Sequence, residues 1–144
     1  MEAKLYSEIL AEFDKAPNRA DKIAVLQKND HPRFRNFLAM VYNPDIKFSV
    51  EIPTYRPAIE PAGLNYTYLD IEVPRLYRFI PGHPKLDGAV LDEKKKKSLL
   101  TSTLESLHKD EAELLVKAIT KKDLGVKFLT PRLIKDAYPD INIP

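Results

Sequence analysis

Cysteine is absent from the 144 residues, which excludes disulfides and thiolate metal sites and fits a reducing cytosol. The three histidines, His31, His83 and His108, stand far apart with no pair at ligand spacing, so no metal site is expected. No apolar run approaches the length that spans a bilayer, and Met1-Glu2-Ala3-Lys4 opens no signal peptide. No serine sits on a nucleophile elbow, no glycine-rich phosphate loop exists, and the carboxylates are scattered. The expectation is a cytoplasmic protein with no catalytic constellation, no cofactor, no membrane contact and no small-molecule substrate.

One short motif imitates chemistry. Lys85-Leu86-Asp87-Gly88 matches the opening of the K-x-D-G-x-R signature of covalent nucleotidyltransferases, but the arginine position holds Val90. Without that arginine or a nucleotide pocket around it, the tetrapeptide reads as a turn.

What is present is helical patterning. A hydrophobic content of 44% with 31% charged residues suits one globular domain with its own core. Leu5, Ile9, Leu10 and Phe13 predict a helix over 3–15. Pro17-Asn18 then breaks the chain, and Asn18 caps a second helix carrying Ile23, Ala24 and Leu26. Asn29-Asp30 is expected to cap a third, with Pro32 in its first turn and Phe34, Phe37, Leu38 and Val41 facing inward.

The middle differs. Ile46 to Ile52 alternates apolar and polar residues, yet no second convincing strand exists to pair with it, so an extended segment lying on helices is expected. Pro53, Pro57 and Pro61 make 53–63 a stiff, proline-rich internal segment. Tyr66, Tyr68, Tyr77 and Phe79 follow, with Pro74 placed to begin a helix over 75–80. Those tyrosines suit a core, and secondarily base stacking. Lys94-Lys95-Lys96-Lys97 reads as an exposed face ahead of Leu100, Leu104 and Leu107, and Asp110 as the cap of the next helix. The fold expected is mainly α, a compact single domain of six or seven helices.

Charge is unevenly spread within a net +2. From Lys117 to Lys135 six basic residues face one acid, Asp123. Within that stretch Gly125 marks a turn, Thr130 is a good N-cap, and Pro131 suits the first helical position. A helix start ringed by Lys121, Lys122, Lys127, Arg132 and Lys135 is a candidate phosphate site.

Two blocks resemble a known family. Ile9-Leu10-Ala11-Glu12, Lys22-Ile23-Ala24-Val25-Leu26-Gln27-Lys28-Asn29 and Tyr42-Asn43-Pro44 form the first. Glu113-Leu114-Leu115, Lys122-Asp123-Leu124-Gly125-Val126 and Leu133-Ile134-Lys135-Asp136-Ala137-Tyr138-Pro139 form the second. In this order they resemble the N-terminal helical DNA-binding domain of ATP-dependent DNA ligases of T-even-type bacteriophages. The same opening and ending resemble small proteins of tailed phages. The resemblance implies sequence-independent contact with duplex DNA through Lys121, Lys122, Gly125, Lys127, Thr130, Arg132 and Lys135, with no ligase chemistry, since the adenylation domain has no counterpart. Here the glycine follows Leu124 directly, and Phe128-Leu129 replace small polar positions of the family's pattern. Inward packing of that pair favours DNA. Outward packing favours the alternative, a phage protein that keeps the scaffold to bind a phage or host protein or to join the virion.

Overall fold

The computed structural model of the protein describes residues 4–144; Met1, Glu2 and residue 3 of the first expected helix lie outside the described residues. Seven α-helices make an all-α fold: α1 (Tyr6–Lys15), α2 (Arg19–Lys28), α3 (Pro32–Tyr42), α4 (Leu69–Glu72), α5 (Glu93–Ser106), α6 (Lys109–Lys121) and α7 (Pro131–Ala137). No strand forms among the described residues. The helices bury a single core that includes Phe13, Phe34, Phe37, Leu69, Phe79, Leu104, Leu115, Ile134 and Tyr138. α1 packs on α2 and α6, and α2 packs on α7. That last contact joins the start of the chain to its end.

Caps explain where the helices begin. Asn18 caps α2 as expected, accepting from the Asp21 N–H at 2.9 Å. Two other expected caps are corrected. His31, in place of Asn29 or Asp30, caps α3, and His108, in place of Asp110, caps α6. In both, imidazole Nδ1 accepts the N–H two residues on, from Arg33 and Asp110 at 3.1 Å each. His83 repeats the contact with Lys85 at 3.0 Å, opening the 3-10 turn Pro84–Leu86. All three histidines therefore hold backbone, each with its ring proton on Nε2. The displaced candidates find other uses. Asp30 pairs with Arg35 at 2.6 Å, and Asp110 places negative charge in the first turn of α6.

The helix expected at Pro74 begins earlier, at Leu69. α4 runs on into a 3-10 helix, Val73–Phe79, with Pro74 in its first turn. Upstream, Ile46, Phe48, Val50 and Ile52 keep their alternation and pack on the core, while Lys47, Ser49 and Glu51 face solvent. The segment is pinned from two sides: the Ser49 N–H donates to the Phe79 carbonyl at 2.7 Å, and Lys96 Nζ donates to the Ser49 carbonyl at 2.7 Å. Lys96 thus departs from the exposed face read from the tetralysine run; it is buried, while Lys94, Lys95 and Lys97 are exposed. The proline-rich 53–63 stretch forms no helix or strand over 53–59 and is anchored by buried Pro53 and by the Arg56 N–H donating to Glu105 at 2.8 Å.

Glu111 joins three elements. Its side chain, at 0% exposure, accepts the N–H of Tyr6, the first residue of α1, at 2.8 Å and that of Leu69, the first residue of α4, at 2.9 Å. Helix starts leave such N–H groups without partners, so one carboxylate on α6 serves two of them. Beside it the Tyr6 hydroxyl donates to Asp70 at 2.8 Å, and Arg33 holds the same carboxylate through Nη2 at 2.9 Å. Burial pushes the Asp70 carboxyl up, but the Arg33 and Tyr6 hydrogen bonds outweigh it and leave it below the ordinary value. A depressed carboxyl contributes stability above its unfolded pKa and loses it as pH falls through the folded one. Asp70→Asn is therefore expected to cost about 1 kcal/mol at neutral pH for this partly exposed pair. Urea melts from neutral to acid should show that cost shrinking; a cost that grows in acid contradicts the assignment.

Candidate nucleic-acid interface

The connection from α6 to α7 turns on three left-handed residues at even spacing: Lys122 (φ 52°), Gly125 (φ 74°) and Phe128 (φ 69°). Glycine adopts this conformation without a steric penalty. A bulky side chain there is a genuine outlier, costing on the order of 1 kcal/mol or more. Between them the loop is closely tied. The Leu124 N–H donates to the Tyr42 hydroxyl at 3.2 Å, the Gly125 N–H to Asp123 at 2.7 Å, and the Leu129 N–H to the Val126 carbonyl at 3.2 Å.

Lys122 ends α6 and turns inward. Its ammonium donates to the Met40 and Ile46 carbonyls and to that of Asn43 at 3.1 Å. The first and last of the acceptors bracket the C-terminus of α3, where carbonyls lack helical partners. Desolvation lowers the lysine's pKa. Lys122 was expected to touch phosphate; it instead caps α3, with Phe48 packed 5.5 Å from its charge.

The remaining basic residues do face solvent. Lys121, Lys127, Arg132 and Lys135 are exposed and form no ion pair among the described residues. Elsewhere Lys4, Arg19, Lys28, Arg33, Arg35 and Arg75 are each held by a carboxylate, while Lys15, Lys47, Arg56, Lys94 and Lys95 are exposed without an ion pair among the described residues. The four do not share one concavity. Lys127 and Gly125 line a hollow with Lys117 that also contains Asp14, Asp110 and Glu113. Thr130 and Lys122 border a groove with Lys47 and Asp123.

The start of α7 offers less to an anion than its sequence suggests. Pro131 has no N–H, the Leu133 N–H is taken by the Thr130 hydroxyl at 3.2 Å, and that of Ile134 by the Thr130 carbonyl at 3.0 Å. The helix is also only seven residues long. Thr130 and Pro131 begin the helix as expected, but the cap uses amides that an anion would need.

Phe128 and Leu129 split, so the pair neither packs inward nor faces outward as a unit and does not choose between DNA and a protein partner. Leu129 is buried at 3% exposure, while Phe128 stands 58% exposed. The Phe128 ring borders a cleft of about 420 Å³ between α2 and α7, lined also by Pro17, Asn18, Arg19, Lys22, Thr130 and Leu133. Lys22 Nζ lies 5.7 Å and Lys127 Nζ 5.1 Å from the ring centroid. Lys22 is buried and fixed, donating to the Phe13 carbonyl at 3.0 Å and to that of Asp14 at 3.3 Å. Sequence reasoning did not connect α2 to this turn, because the two lie about a hundred residues apart and only the α2–α7 packing brings them together. The tyrosines raised as stacking candidates sit in other segments. Tyr66 is 91% exposed, Tyr68 donates to the Gly63 carbonyl at 3.2 Å, and Tyr77 packs beside His83. Lys85-Leu86-Asp87-Gly88 forms an exposed turn in which Asp87 and Gly88 are both left-handed.

No helix among the described residues is long and apolar enough to cross a membrane, and no group of acidic and imidazole side chains among them is placed to hold a metal ion. Neither a curated protein nor a solved structure matches the chain. A family match does exist, running from Ile9 in α1 to Gly125 in the turn just described. It covers most of the helical core, and by it the chain belongs to a family of unknown function (DUF6433).

Proposed function

We propose that the protein is a non-enzymatic binder of duplex DNA, encoded by a phage, that acts without sequence preference. The observation that carries this reading is the set of four exposed cations without an ion pair among the described residues, Lys121, Lys127, Arg132 and Lys135, carried on the end of α6, the turn after it and α7. Such side chains bind phosphate by releasing counterions, which gives affinity without base readout. The resemblance to phage ligase domains read from the sequence implies DNA contact at the same turn. Gly125 and Thr130 shape the turn, and Lys122 supports it from inside.

Four phosphate contacts imply a loss of about a hundredfold in affinity between about 50 and about 200 mM salt. Fluorescence anisotropy on a short duplex measures this directly. Reversing Arg132 and Lys135 to glutamate should flatten the salt slope by about two units. Binding indifferent to salt, or unchanged in the double reversal, removes the proposal. Lys122 is unsuited to this test, because its loss damages the fold.

A second reading rests on a different observation. Ile59, Leu64, Tyr66 and Val90 are exposed large apolar residues along 59–90, and apolar surface of this kind is used to dock proteins. Under that reading the scaffold carries a phage or host protein partner, or joins the virion, and the duplex titration returns no binding at low salt.

A further inference from the structure

We infer that Phe128 is a base-stacking residue, and that the cleft beside it receives one unstacked nucleobase while Lys127 and Arg132 hold the flanking phosphates. This rests on the DNA reading above and adds to it a preference for DNA in which a base is already free of the helix.

Three features of the ring point this way. Phe128 is bulky, left-handed and largely exposed. An aromatic residue kept outward against its own backbone preference marks a place where the surroundings over-determine the geometry. The buried neighbour, Leu129, shows that the loop had an inward position to offer. The ring also lies beside cations: Lys22, fixed from below by the carbonyls that end α1, and Lys127, which is free to move. A base can take the place of Lys127 beside the ring and release its ammonium to a phosphate. Finally, Phe128 is isolated. Among the described residues the other exposed large apolar side chains fall between 59 and 90, and none of them lines this cleft. A protein-docking face presents contiguous apolar surface. A single aromatic ring among cations matches a planar apolar base on an anionic backbone.

The cleft wall agrees with a partner read by shape. Pro17 and Leu133 supply apolar surface, and Arg19 supplies donors from an exposed pair with Asp136. The Thr130 hydroxyl accepts from Leu133, so its proton remains free to donate. Asn18 is already used by Asp21 through both side-chain atoms. Donors without a matched set of acceptors recognise the carbonyl and ring nitrogens common to many bases, which fits binding without sequence preference.

The test compares an intact duplex with the same duplex carrying one bulged fluorescent purine analogue, by anisotropy and by quenching of the analogue. Wild type is expected to bind the bulged probe about tenfold more tightly, the scale of one base–aromatic stack, and to change the analogue's emission. Phe128→Gly suits the left-handed backbone and should melt within a few degrees of wild type. It should lose the preference while keeping the wild-type affinity for intact duplex. Phe128→Leu, which keeps bulk without a π face, should lose it too. Equal binding of both probes by wild type, or a preference that survives in both variants, overturns the inference and leaves the DNA reading standing. An equal loss on both probes in the variants also overturns it, since the ring would then be a general contact. Absence of binding to either probe at low salt ends both.

Discussion

Glu111→Ala is expected to cost about 4 kcal/mol of stability, the sum of two buried N–H groups left without acceptors and the space vacated by the side chain. That is a large share of a typical total of about 5–15 kcal/mol, so the variant should sit near its unfolding threshold at body temperature. The structural reason is the position of the carboxylate: α6 lends one side chain to the first residues of both α1 and α4. Urea denaturation gives the total, and hydrogen exchange locates it, because the Tyr6 and Leu69 amides should lose protection first. A loss below about 1 kcal/mol, within the range of a single ordinary hydrogen bond, contradicts the double-cap role. Glu111→Gln keeps one acceptor and should recover part of the loss.

Acid sharpens the same prediction. Burial raises the Glu111 carboxyl above its ordinary value, against the two N–H groups that favour its charge. The native state then holds the proton more tightly than the unfolded chain. Its contribution is fully present below the ordinary carboxylate pKa and declines as pH rises through the raised value. The penalty for Glu111→Ala should accordingly be larger near the acid end than at neutrality, the opposite of the trend for Asp70→Asn. Two carboxylates in one network thus titrate stability in opposite directions.

The second large effect is Lys122→Met. The substitution keeps the aliphatic stem and deletes a charge shared by three carbonyls at the end of α3. Removing one partner of such a cluster exposes the others to their full desolvation penalty, and about 3 kcal/mol is expected, since water reaches the half-buried site in part. Chemical denaturation measures the change. Under the proposed DNA binding, affinity at a temperature where the variant is folded should stay within a factor of two of wild type. A stable protein with weakened DNA binding reverses the assignment and returns Lys122 to the contact surface.

The helical class of the fold was legible because Leu5 to Phe13, Phe34 to Val41 and Leu100 to Leu107 keep one apolar face, and Asn18 and Thr130 are ordinary caps. Ile46 to Ile52 was legible for a subtler reason: alternation without a partner strand gives a one-sided extended segment, which is what forms. The histidine caps were missed because imidazole is not among the usual capping groups, although His31-Pro32 and His83-Pro84 share a visible cue, a ring acceptor ahead of a proline. The double role of Glu111 has no local signal. Nothing at 111 distinguishes it from other acids in a first turn, and its partners lie 105 and 42 residues away. At the candidate interface the turn and its cations were readable. The inward course of Lys122 was not, since a lysine at the end of a helix looks identical in sequence whether its ammonium meets water or a neighbouring helix end.

Lys22, Lys96 and Lys122 share that behaviour, each placing its ammonium on backbone carbonyls of another element. The consequence reaches beyond this molecule. When relatives in the family are aligned, lysine retained at these three columns, all inside the matched stretch, records selection on folding rather than on a ligand. A map of evolutionary constraint that pools all basic positions would mistake lysines spent on the fold for a contact surface.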